Sequence, residues 1–167
     1  MNDSENICLA CGLCCDGTLI GFVQLDKEEV PQVKKIMDIE ETHGEGFFLH
    51  PCDKFCDGCT VYADRPRQCS KFECGLLKSV DQKELTFNSA SKTIKGVKEK
   101  KLIIEKQLET LQLDLQSQSF YFKMVEIKNL LKKNSLSSSL TNIHLELLSN
   151  IESLNSLLSY KFDVTLT

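Results

Sequence analysis

From Ile104 the apolar residues recur at Ile104, Leu108, Leu111, Leu115, Phe122 and Val125, in a four-three-four step broken only at Gln118. A step of this kind keeps one side of a helix apolar for roughly three heptads, so it predicts an amphipathic helix. The polar run at 134–139 interrupts it with turn and cap residues. A second stripe follows at Leu140, Ile143, Leu147, Ile151, Leu154 and Leu158. Two striped helices with a short polar link predict a helical hairpin over 96–162, each stripe burying the other or packing on the rest of the chain. An apolar face left over would serve a protein partner, or a second copy in a homodimer.

The first half has no such period. Residues 18–25 are rich in β-formers and predict a strand. Asp26 follows as a cap residue, then acidic Glu28 and Glu29, and a helix through Val33, Ile36 and Met37 that starts close to Pro31. His43, Gly44 and Gly46 mark a loop. Residues 47–50 and 60–62 predict strands, and Asp64 with Pro66 predicts a short helix carrying Cys69. The fold class expected is α+β, with a small module over 1–80, a connector over 81–95 and the hairpin. A module of 80 residues so rich in turns buries little apolar surface, and bound metal would supply the missing stability.

The cysteines sharpen that expectation. All nine fall between Cys8 and Cys74. Cys8, Cys11, Cys14 and Cys15 are packed into the string CLACGLCC, and Cys52, Cys56, Cys59, Cys69 and Cys74 follow. Thiols two residues apart converge on a point, which suits zinc or an iron–sulfur cluster. A disulfide framework fits less well, because the count is odd and adjacent Cys14 and Cys15 would strain a shared bridge. The start of the chain lacks the basic and apolar regions of a secretory signal, and no run of about 18 apolar residues occurs. A cytoplasmic, reducing location away from membranes is therefore expected.

Charge adds exclusions. Residues 1–80 carry 14 acids against 8 bases, and residues 81–167 carry 10 acids against 12 lysines. Neither half is basic enough for a nucleic-acid binder. The lysines between 92 and 101 read as a solvated helix start, with a phosphate or acidic-partner contact as the alternative. No Ser/His/Asp set or phosphate-binding glycine loop stands out. His50, beside Pro51 and Cys52, is a candidate zinc ligand, while His43 and His144 read as structural.

Read in order, CLACGLCC, then Cys52, then the string CTVYADRPRQC from Cys59 to Cys69 resembles the YkgJ-type cysteine-cluster family. These are the CxxCxxCC proteins, described as zinc- or iron-chelating. The resemblance covers residues 7–74 and implies Cys8, Cys11, Cys14, Cys15, Cys52, Cys59 and Cys69 as metal ligands, with Cys74 as an eighth. Cys56 lies in a variable stretch of the pattern, as a spare thiol or a ligand peculiar to this chain. Tyr62, Arg65 and Pro66 would form a supporting shell. Arg65 would hydrogen-bond a thiolate or pair with Asp64 or Glu73.

The same module resembles the core of flagellin lysine N-methylases, which implies methyl transfer from S-adenosylmethionine as an alternative activity. The spacing Cys52-x3-Cys56-x2-Cys59 resembles the motif of radical S-adenosylmethionine enzymes, whose barrel needs a longer chain. Adjacent Cys14 and Cys15 suit a multinuclear or redox centre better than a lone tetrahedral zinc. The expected cofactor is thus an iron–sulfur cluster or zinc. A metal-binding scaffold, an electron-transfer or sensor protein, and a methyltransferase-like enzyme stay open as functions.

Overall fold

The computed structural model describes residues 3–135 and 141–166. Helix α1 (Asp3–Cys11) leads into a tight turn and then strand β1 (Phe22–Gln24). Short α2 (Val30–Val33) carries Pro31 in its first turn, where a missing N–H costs nothing. Strands β2 (Glu40–Thr42) and β3 (Glu45–Leu49) form a hairpin, and the antiparallel sheet has the order β1-β3-β2. The hairpin turns through His43 and Gly44, both at positive φ, as two-residue hairpin turns require. Then come a 3₁₀ turn at Tyr62–Asp64, where a strand was expected, and helices α3 (Arg67–Lys71) and α4 (Gly75–Asp81). Long helices α5 (Phe87–Leu111), α6 (Phe120–Ser135) and α7 (Asn142–Phe162) complete the chain. The α+β class holds.

The helical half differs from a simple hairpin. Its first seam is divided between α5 and α6 by a non-helical stretch over 112–119 that contains Leu115 and Gln118. Gln112 stops α5 in the left-handed conformation. After the break the register changes. Helix α6 buries Phe120, Met124, Ile127 and Leu131, again at four-three-four spacing. Phe122 instead leaves the seam, lies over Gly21 and stacks on Phe22 with ring centroids 6.3 Å apart. Much of the expected connector is helix as well: α5 starts at Phe87, capped by Thr86 Oγ1 accepting the Ser89 N–H at 3.2 Å. Ala90, Ile94 and Val97 then extend its buried face toward Ile104.

Helix α7 buries Leu147, Ile151, Leu154, Leu158 and Phe162, close to the expected stripe, with Ile143 exposed. Helix α6 runs on through Asn134 and Ser135, whereas residues 136–140, which include Leu140 and most of the expected link, lie outside the described residues. His144 has the structural place expected, its Nδ1 accepting the Thr141 N–H at the start of α7.

The boundary expected at residue 80 does not divide the core. Ile7, Leu13 and Leu19 pack in one cluster with Leu76, Val80 and the buried faces of α5, α6 and α7. The early segment has too few apolar residues to bury by itself, so it borrows the helices. A second, smaller core gathers Val23, Leu25, Val30, Val33, Met37 and Phe48 between the sheet and α2. Val23 and Phe48 are cross-strand partners within it.

Candidate metal centre

Cys8 and Cys11 stand three residues apart on α1, which puts both on one face of the helix. The helix ends at Gly12, whose φ of +69° favours glycine. The Phe55 ring seals that position, because a Cβ on Gly12 would sit 2.6 Å from its Cε2. Fully buried Leu13 then anchors the turn in the main core, and its carbonyl accepts the N–H groups of Thr18 and Leu19 at 3.0 and 2.9 Å. Cys14 and Cys15 ride on this turn.

The later cysteines are brought in by separate devices. The Cys52 N–H donates to the Cys15 carbonyl at 2.8 Å, joining the two cysteine segments through backbone. Cys59 forms a lone bridge with Phe55. Cys69 rides on α3, which is fastened by the buried Glu29 carboxylate accepting the Arg67 N–H at 2.9 Å. Cys74 caps α4 in an extended conformation, and α4 packs on α1.

These devices surround one cavity of about 270 Å³. Cys8, Cys11, Cys14, Cys15, Cys52, Cys59, Cys69 and Cys74 all line it. Cys56 does not, and its side chain is exposed. The three cysteines at 52, 56 and 59 are therefore not gathered as a set. The eight thiols stand around the wall of the cavity. Among the described residues, no three cysteine, histidine or carboxylate side chains gather at one ion-sized position.

Burial dominates the thiol chemistry. It pushes Cys11, Cys15 and Cys69 up to about 12 and raises Cys14 as well, because a thiolate loses its hydration in the cavity. Cys8, Cys52 and Cys74 are raised for the same reason. The thiols also repel one another in a pattern. Cys14 feels Cys11 and Cys74 most, then Cys15 and Cys8, whereas Cys15 feels Cys59, Cys52 and Cys69. Thiols held this high are poor anions alone, and a bound cation reverses the balance.

Tyr62, Arg65 and His50 are among the lining residues that bring other chemistry. Arg65 lies over the Tyr62 ring, its Cζ 3.8 Å from the centroid, and donates from Nη1 to the Tyr62 carbonyl at 2.7 Å. That contact, rather than a pair with Asp64 or Glu73, positions the cation, which acts against burial at Cys8 and Cys69. His50 is only 3% exposed. Its Nδ1 lies 3.2 Å from the Cys15 carbonyl, an acceptor, so the proton sits on Nδ1. The buried Nε2 has no hydrogen-bond partner among the described residues and presents a lone pair. A histidine bound to metal is commonly oriented in this way by a carbonyl on its other nitrogen.

Several supporting residues carry no motif signal. Lys101 of α5 pairs with Asp16 of the cysteine turn at 2.9 Å, with side chains only 14% and 17% exposed. Lys98 reaches the Ala10 carbonyl at 3.4 Å. The basic stretch thus fastens α5 to the thiol segment. Glu29 stands at the start of α2, as expected, and its carboxylate also anchors α3, a partner on a distant element that could not be read from local pattern.

No helix among the described residues is long and apolar enough to cross a membrane. No family model, curated protein or solved structure matches the chain.

Proposed function

We propose that the chain is a metal-binding protein that holds an iron–sulfur centre through its clustered cysteines, with zinc as the alternative occupant. One observation carries this reading: eight of nine thiols line a single cavity, and the one outside it, Cys56, lies in the variable stretch of the cysteine-cluster pattern. A wall with eight thiols among its lining residues suits iron–sulfur or zinc over the oxygen-seeking cations. Eight donors exceed the four of one tetrahedral zinc, which favours a multinuclear centre. Such a centre supplies one-electron chemistry or a fold-stabilising clamp. The residues' own part is to strip water from the thiols, to balance their charge with Arg65, and to fix their spacing through α1, α3 and α4.

Metal and sulfide analysis with an absorption spectrum of anaerobically purified protein tests the proposal. Iron and acid-labile sulfide in similar amounts, with visible sulfur-to-iron bands, are expected. Stoichiometric zinc without sulfide would leave a structural metal module, and protein with neither would overturn the reading.

A further inference from the structure

We infer that the cavity holds two separate four-thiolate centres, one on Cys8, Cys11, Cys14 and Cys74 and the other on Cys15, Cys52, Cys59 and Cys69, with the chain crossing between them at the peptide joining Cys14 to Cys15. This rests on the metal-binding reading and deepens it.

The packing divides the thiols. Cys8, Cys11, Cys14 and Cys74 pack against the large helical core. Cys52 and Cys69 pack against the small core of the sheet and α2. The backbone agrees. Cys8 and Cys11 share α1, and α1 packs on α4, which Cys74 caps. On the other side, the Cys15 carbonyl takes the Cys52 N–H at 2.8 Å. Cys14 packs on the large core, whereas the backbone of Cys15 is tied to Cys52, so the two adjacent cysteines belong to different sides of the cavity. Cys15 and Cys69 face other thiols of their own group, whereas Cys14 faces Cys11 and Cys74 first and its chain neighbour Cys15 next. Each group supplies four thiols, the number that a cubane cluster takes, whereas a single zinc would need them drawn closer than they stand. The adjacent cysteines are thereby explained as the last ligand of one site followed by the first of the next.

Serine variants of the full chain test the split by metal content per folded protein. Cys8→Ser, Cys74→Ser, Cys52→Ser and Cys69→Ser should each retain half of the metal of the unaltered protein. The double variant Cys8→Ser with Cys74→Ser should also retain half, and Cys8→Ser with Cys69→Ser should retain none. Loss of all metal from folded single variants of both groups would overturn the split, as would equal content in the two doubles. Because a variant can fail to fold, native mass spectrometry of the unaltered protein under graded chelator gives a second reading. A half-loaded species is expected, and passage from full to empty with no such species would overturn the split. Protein that binds no metal at all would defeat the underlying reading as well, so the two failures are distinct.

Discussion

Leu13 offers the sharpest test of how the thiol turn and the helices are joined. It is 0% exposed and lies in the large core, between two cavity cysteines proposed as ligands, Cys11 and Cys14. Leu13→Ala leaves its backbone carbonyl bonds intact and removes only packing. Truncation of a buried leucine costs about 2–5 kcal/mol. Taking about 3 kcal/mol, and about 2–4 °C per kcal/mol for a chain of this size, Tm should fall by about 6–12 °C. The assay follows helical circular dichroism and metal release during heating of the loaded protein. Both signals should shift together, because Leu13 packs in the cluster that also holds Leu154 and Leu158. Leu154→Ala, on α7 and itself fully buried, should loosen the metal from the far side of the same core. Metal lost early from Leu13→Ala with helical melting unchanged would refute the argument and restore two independent units.

Other outcomes follow from the site. Gly12→Ala should destabilise the protein by about 1–3 kcal/mol in urea titration, since it combines a positive φ with a Cβ pressed on Phe55; full stability would show that the helix end is unstrained. The metal-free, reduced protein should lose stability as pH rises from about 9 toward 12, because folded Cys11, Cys15 and Cys69 keep protons that the unfolded chain releases. Its urea midpoint should therefore fall over that window, while the loaded form, whose ligands are already thiolates, stays flatter. Adding S-adenosylmethionine to an iron–sulfur form should leave its paramagnetic resonance spectrum unchanged, because under the two-centre proposal every iron of each four-iron cluster would carry a cysteine; a clear shift would bring the methylase-like reading forward.

The cysteine segments were legible because ligand spacing is local: Cys8 and Cys11 need only one helical turn, and Cys69 only the short helix after Pro66. The helical register was not. Leu115 continues a four-three-four count across 112–119 although no helix exists there, and the count then assigned Phe122 and Val125 to a face that α6 gives to Phe120 and Met124. Strand β2 was invisible because Glu40, Glu41 and Thr42 are all exposed and show no alternation. The fastenings by Glu29 and Lys101 join residues 38 and 85 positions apart, and no window on the sequence spans such pairs.

The exclusion of Cys56 from the cavity matters for handling this protein at the bench. An exposed thiol beside eight sheltered ones is the first to meet oxygen, an alkylating dye or a second molecule. A disulfide-linked dimer seen on a non-reducing gel would thus report Cys56 chemistry rather than a natural assembly, and Cys56→Ser should abolish it. The same isolation makes Cys56 a single address for a fluorophore or spin label, placed outside the thiol-lined cavity without taking a sulfur from it.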